Sequence, residues 1–361
     1  MVNMTLFSQT INKISRARFN SIVKKFQGDK HSKGINSWTH LVCMLFLHFA
    51  KANSIREIYY LLKSATGNLN HLGITKKLPS RSSLSYINKH RSWKIFRALY
   101  YELLEMLISS RRCGKTKLTI PKLKSGKKFL ILDSTTVTLC LKTFNWAKYH
   151  QTKGAIKLHM LLDYDLCLPT YVYITEGRKS DISVAQSLNL PSNTVLVADR
   201  AYIDFRMLNR WHNKGIKFVI RLKDNILYKS LRENPLPENN AQHILKDEII
   251  RLIEPQSKKN YPEDLRRIVV YDEESGQTIE IITNDLCWTA ETVSELYKKR
   301  WQVEIFFKEL KQHLKIKSFI GTSENAVLIQ IWTALITILL LKYLKQIAKY
   351  NWSLSNLIAF T

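Results

Sequence analysis

The sequence predicts an α/β protein in which a helical N-terminal domain precedes a strand-rich core. Two observations carry this. Apolar residues recur at helical spacing up to about residue 110, and from residue 128 they gather in short β-branched and aromatic runs separated by turn residues. With 361 residues and 45% hydrophobic content, the chain can build two or three domains with sizeable cores.

The helical domain is read as residues 1–120. "SWTHLVCMLFLHFAKA", "SIREIYYLLKSA" and "WKIFRALYYELLEMLISS" show helical apolar spacing, and only eight prolines interrupt the whole chain. "LPSRSSLSYINKHR" opens with Pro79 and Ser80, good helix-start residues, and then presents Arg81, Asn88 and Lys89. Two readings fit it: a recognition helix offering cations and an amide to phosphates and base edges, or an ordinary solvated helix. "RRCGKTKLTIPKLKSGKK", residues 111–128, is a basic connector containing Gly and Pro, and a boundary is expected there.

Strands are expected at "KFLILDSTTVTL", "AIKLHMLLDYD", "PTYVYITEG", "NTVLVADRAY" and "IKFVIRLK", with helices at "DISVAQSL" and "DFRMLNRWHNKG". Three strands, helix, strand, helix, strand is the order of a ribonuclease-H-like α/β core, so residues 121–223 are read as its first part. Residues 224–290 form an inserted β-rich region, poor in strands apart from a hairpin of "RRIVVYD" and "QTIEIITN" around "EESG". Residues 291–361 supply C-terminal helices that complete the core.

The formal net charge is +27, and residues 1–127 hold 24 Lys and Arg against 4 Asp and Glu. A polyanion is the expected partner. An anionic membrane competes, but the N-terminus has no basic segment leading into an apolar signal run. "AVLIQIWTALITILLL" contains Gln330, Thr333 and Thr337 and falls short of the about 20 apolar residues a bilayer crossing needs, so a buried core helix is expected. The five cysteines include no Cys-x-x-Cys pair and the ten histidines make no zinc spacing with them. A reduced cytoplasmic protein without structural zinc or membrane contact is expected.

Asp133 ends "FLILD" and Asp199 ends "VLVAD". Ligands of α/β sheets bind beyond the carboxyl ends of strands, although an Asp there also serves as a turn or cap residue. Polar residues follow both: Ser134, Thr135 and Thr136 after the first, Arg200 and Tyr202 after the second. A third carboxylate, Glu304, lies in "ELYKKRWQVEIFFKELKQHLK", residues 295–315, read as one helix. Tyr297, Arg300, Glu304, Lys308, Lys311 and Lys315 make a polar stripe beside an apolar one of Leu296, Val303, Phe307, Leu310 and Leu314. A solvated face with i±4 ion pairs is one reading. The other is a shared carboxylate site, in which two divalent ions about 3.5–4 Å apart activate an attacking oxygen and stabilise the leaving oxygen of a phosphodiester. Oxygen-only ligands favour Mg2+ or Mn2+, and the surrounding cations would hold DNA against such a site.

At these residues the chain resembles bacterial insertion-sequence transposases of the DDE class, specifically the insertion sequence 4 family. The family signature Tyr-x2-Arg-x3-Glu-x6-Lys is met by Tyr297, Arg300, Glu304 and Lys311. "LDSTT" and "ADRAY" resemble its first-Asp and second-Asp segments, and "HQTKGAIKLHMLLD" and "IGTSENAVLIQIW" are similar to other family stretches. The resemblance implies that Asp133, Asp199 and Glu304 are catalytic and bind two Mg2+ or Mn2+ ions. It also implies that Arg300 and Lys311 contact DNA, with Tyr297, Lys308 and Arg200 beside them. It further implies a homodimer on double-stranded DNA, acting on terminal inverted repeats and target DNA in the bacterial cytoplasm at the nucleoid. Some relatives use a tryptophan of the inserted region on a flipped base; Trp288 is the nearest candidate here, and a packing role is the alternative. Two other activities stay open: a ribonuclease-H-like nuclease or resolvase without strand transfer, and a truncated, non-catalytic DNA-binding copy, since "NWSLSNLIAFT" stops within an apolar helical pattern.

Overall fold

The computed structural model describes residues 6–32, 34–64, 69–74, 78–112, 127–147, 154–236, 243–274, 276–313, 316, 318–348, 350, 353 and 356–357. In chain order the elements begin with α1 (Leu6–Ile11), α2 (Arg16–Lys25), α3 (Ser37–Phe49), α4 (Ile55–Ser64), α5 (Arg81–His90) and α6 (Lys94–Arg112). There follow β1 (Lys128–Leu139), β2 (Gly154–Asp163), β3 (Leu168–Glu176), α7 (Asp181–Gln186), β4 (Thr194–Ala198), α8 (Phe205–Asn213) and β5 (Lys217–Arg221). The chain continues through β6 (Tyr228–Glu233), β7 (Ile244–Leu252), α9 (Pro255–Asn260), β8 (Leu265–Asp272) and β9 (Gln277–Thr283). It closes with α10 (Ala290–Lys298), α11 (Trp301–His313) and α12 (Glu324–Ile347). These divide into two compact units: Met1–Thr116 with Val137–Ala155 and Phe307–Thr361, and Lys117–Thr136 with Ile156–Phe306.

In the first unit α12 packs against α3, α5 and α6, so the most apolar segment of the chain is the core helix of a helical bundle. Its buried polar residues Gln330, Thr333 and Thr337 each find partners. Gln330 bonds the backbone of Ser318 and Ile320, Thr333 and Thr337 bond carbonyls one turn back, and His48 Nε2 lies 3.1 Å from Thr333 Oγ1. Ser323 caps the helix by accepting from Ala326 N. Next to it Asn325 donates to the carbonyls of Asn88 and Arg91 and accepts from Trp93 N, which pins the start of α12 to the end of α5. The connector expected at 111–128 lies mostly outside the described residues, as does most of "NWSLSNLIAFT"; α6 itself runs to Arg112.

The second unit is built on a nine-stranded sheet ordered β3-β2-β1-β4-β5-β9-β8-β7-β6. β1, β4 and β5 are parallel neighbours, while β2–β3 and every pairing from β5 to β6 are antiparallel. The first five strands and two helices fall where the alternation of apolar runs placed them. Residues 224–290 do not form a strand-poor insertion with one hairpin. They supply four strands that extend the same sheet, because β9 pairs directly with β5. β6 escapes the sequence pattern since an edge strand buries little: five of its six residues are exposed. β7 escapes it because both of its faces carry buried charge, Asp247 and Glu248 being neutralised by Arg266 and Arg267 of β8.

Residues 295–315 also differ from expectation. They form not one helix but two, α10 and α11, joined by a turn at Lys299–Arg300. Leu296, Val303, Phe307 and Leu310 are buried as the apolar stripe predicts, while Leu314 and Lys315 lie outside the described residues.

Candidate active site

The parallel pairing of β1 with β4 sets the geometry. Leu132 is opposite Ala198 in the last paired position, so Asp133 and Asp199 are the next residues on adjacent strands. β1 runs on to Leu139, but its partner β4 ends, and Asp199 caps the short 3-10 turn 200–202 by accepting from Ala201 N at 2.8 Å. Asp133 Oδ1 accepts from Ser134 N at 2.7 Å, which fixes the rotation of its carboxylate.

Arg300, in the turn between α10 and α11, connects this pair to the third acid. Its Nη1 stands 3.4 Å from Asp133 Oδ2 and its Nη2 2.5 Å from Glu304 Oε1. Asp133, Asp199, Tyr297, Arg300 and Glu304 therefore fall within one unit. Burial, with further repulsion from Asp199 and Glu304, pushes the Asp133 carboxyl up to about 7 against the opposing help of Ser134 N–H and Arg300. This is a carboxylate short of positive charge.

Among the described residues no three His, Cys, Asp or Glu side chains stand close enough together to hold a metal ion; the Arg300 guanidinium spans the gap between Asp133 and Glu304. The donor chemistry nevertheless fits a hard divalent cation. All the ligating atoms would be carboxylate oxygens, and Asp133 is raised first by burial and then by the neighbouring acids Asp199 and Glu304, both of which a bound cation would offset.

The remaining sequence candidates separate by exposure. Lys308 is exposed and Lys311 half-buried further along α11. Arg200 is exposed and pairs with Asp224 at 3.4 Å. Tyr297 is buried, its ring 5.9 Å from the Arg300 guanidinium, so its support goes to that side chain rather than to a groove. On α5, Ser80 caps the helix through Ser83 N, and Arg81 and Lys89 are exposed. Asn88 is corrected: at 1% exposure it faces the interior, 3.3 Å from His40 Nε2, and cannot reach a base edge. Trp288 is half-buried, with the Lys127 ammonium 5.4 Å from its ring.

Sequence reasoning missed Asp181, Lys157 and His159, which cluster beside Ser134. The available signal was the i, i+2 spacing of Lys157 and His159 in an otherwise apolar strand, which puts both on one face.

Residues 124–340 match the family described as Transposase DDE domain, and residues 2–75 match a domain of unknown function, DUF4372. The chain is 34% identical over 254 residues to a protein of Geobacillus stearothermophilus named as a transposase for insertion sequence element IS5377, covering 70% of this chain and 65% of that one. It is 32% identical over 222 residues to the named transposase y4zB of Sinorhizobium fredii, covering 61% and 62% respectively. A protein of Synechocystis named for insertion sequence element IS4SA is 27% identical over 286 residues, covering 78% and 76%. The chain thus spans somewhat under two thirds of the length of the first two relatives.

Proposed function

Since the chain belongs to the transposase DDE-domain family, we propose that it is a DNA transposase of the insertion sequence 4 type. In this reading it binds the terminal inverted repeats of its element, cleaves the ends by metal-assisted hydrolysis and joins the 3′-OH ends to target DNA. It acts as a homodimer on double-stranded DNA in the bacterial cytoplasm. The single observation that carries the reading is the register that makes Asp133 and Asp199 neighbours, with Arg300 reaching from Asp133 to Glu304. The strand order β3-β2-β1-β4-β5, with β1, β4 and β5 parallel, supports a ribonuclease-H-like core.

Asp133, Asp199 and Glu304 would hold two Mg2+ or Mn2+ ions. When bound, such ions polarise the scissile phosphodiester and lower the proton affinity of the attacking oxygen. The chain's own part is positioning. Ser134 N–H and the strand pairing hold the first two carboxylates, while Arg300 and the lysines of α11 offer charge to phosphates.

The test uses duplexes carrying the DNA ends that flank the gene. Asp133→Asn, Asp199→Asn and Glu304→Gln should each abolish cleavage while end binding persists, and double variants should be no worse than single ones. Undiminished cleavage by Asp199→Asn would overturn the assignment. Hydrolysis with no joining of pre-cleaved ends would reduce the protein to a nuclease.

A further inference from the structure

Helix α5 is held from one side and bare on the other. Leu84 and Asn88 are buried, the helix packs against α3, α4 and α12, and Asn325 of α12 bonds the Asn88 and Arg91 carbonyls. At 100° per residue Ser82, Ser85, Tyr86, Lys89 and His90 fall on the opposite side, and all five are exposed. Tyr86 is the extreme case, a phenol ring left 65% exposed.

The two rings on this bare side are ordered against each other. Tyr86 and His90 stack, with centroids 4.2 Å apart and planes inclined by 31°. His90 Nδ1 lies 2.8 Å from the Tyr86 carbonyl oxygen, which can only accept, so Nδ1 carries the proton. In the neutral ring Nε2 is then left as an acceptor. The pair forms one braced unit that offers a hydroxyl and a lone pair at set positions, and a braced unit has less rotamer freedom to lose on binding.

The surrounding charge selects the occupant. No Asp or Glu occurs between Glu57 and Glu102, a stretch that holds Lys63, Arg81, Lys89, Lys94 and Arg97. Such an acid-free surface is complementary to a polyanion. Among polyanions, duplex DNA has a major groove that admits a helix, and the exocyclic amines of adenine and cytosine donate there to acceptors. A face meant for an anionic membrane would place apolar side chains where α5 shows hydroxyls, an imidazole and an ammonium.

We propose that the outer face of α5 enters the major groove of the element's terminal DNA, where Tyr86 and His90 read base edges while Arg81 and Lys89 hold neighbouring phosphates. The inference rests on the transposase reading and adds to it the residues that choose the DNA. Asn88, on the inner face, has no part in that choice.

The experiment measures fluorescence anisotropy of the full chain with two labelled duplexes, one carrying the DNA ends that flank the gene and one a scrambled sequence of the same composition. Tyr86→Ala and His90→Ala are compared with the parent protein, with thermal midpoints and cleavage of the end duplex by the parent recorded in parallel. Each variant should lower the ratio of matched to scrambled affinity by about tenfold or more, the effect of one lost base contact, while the scrambled affinity and the midpoint stay near the parent's. If Tyr86→Ala does not fold, Tyr86→Phe decides, since it keeps the ring stack and removes the hydroxyl. An unchanged ratio in either variant overturns the assignment of that residue. An equal fall in affinity for both duplexes overturns base reading as well, because it marks phosphate contact alone. In these cases a parent that prefers and cleaves its own ends leaves the transposase reading standing. A parent that neither prefers nor cleaves them overturns both.

Discussion

The Arg300 guanidinium lies 2.5 Å from the Glu304 carboxylate, one helical turn away, and its second terminal nitrogen faces Asp133. One cation thus serves two acids that otherwise repel each other. Replacing it by Gln should lower stability in chelator by about 1–2 kcal/mol, the exposure of Glu304 keeping the effect below that of a fully buried pair. Added Mn2+ should then raise the thermal midpoint more in Arg300→Gln than in the parent protein. Equal Mn2+ shifts in the two proteins would mean that Arg300 and the metal do not share the same carboxylates.

Helix α5 offers a sharper contrast, because exposure divides its candidates. Arg81→Ala and Lys89→Ala should each lower the slope of log affinity against log salt by about one unit, with unaltered unfolding. Asn88→Ala should do the reverse: an unchanged slope, with a loss of about 1–3 kcal/mol from the broken contact with His40. Fluorescence anisotropy at graded salt, beside urea denaturation, separates the two outcomes.

His40 gives the helical unit a defined acid sensitivity. It is fully buried against the edge of Phe96, and burial, with the Arg91 cation nearby, pushes it down to about 3 despite the opposing bond to Asn88. The unfolded chain, with an ordinary value of about 6.5, therefore takes up the proton first. This contribution is complete above about pH 6.5 and drains away as pH falls toward 3, amounting to about 2 kcal/mol between pH 7 and pH 5. In denaturation at those two pH values, His40→Gln should show a pH dependence flatter by that amount; parallel curves would refute the assignment.

Arg266 and Asp247 form a buried two-point pair, Nε to Oδ1 at 2.8 Å and Nη2 to Oδ2 at 2.5 Å, and Arg266 also holds the Trp288 carbonyl. Arg266→Met leaves Asp247 buried without its cation and should lower stability by about 3–5 kcal/mol. The double variant Arg266→Met/Asp247→Leu should recover much of that, because the penalty lies in the stranded charge. Equal losses in the single and double variants would show that the loop carrying Trp288 depends on Arg266 itself.

The parts legible in sequence were those with a strong period or a fixed local spacing. β1 lies at the residues its apolar run named, and the core helix announced itself by an unbroken apolar sequence. Asp133, Asp199 and Glu304 were visible because each ends or interrupts such a pattern. What stayed hidden depends on partners distant in sequence. Asp247 and Glu248 fall in a stretch read as poor in strands, because the Arg266 and Arg267 that neutralise them lie 19 residues on in sequence. Asn88 looked like a solvent-facing amide because nothing local reveals His40 beneath it. The turn at Lys299–Arg300 was hidden because the helical spacing of apolar residues continues across it.

The pairing of β5 with β9 also sets a timetable for the newly made chain. β6, the strand that leaves the ribosome directly after β5, belongs at the far edge of the sheet, so β5 keeps one side open until β9 has been synthesised. Only then can Asn284 close that side by accepting from Phe218 N and donating to the Ile216 carbonyl. At about 5–20 residues per second this interval lasts several seconds, during which the nascent sheet presents an adhesive edge to any neighbouring chain. Glu304 is synthesised later still, so a translation product ending before it carries two of the three acids at most. Aborted synthesis then yields fragments with an open strand edge and without Glu304, and all three acids are present only after the whole sheet has been made.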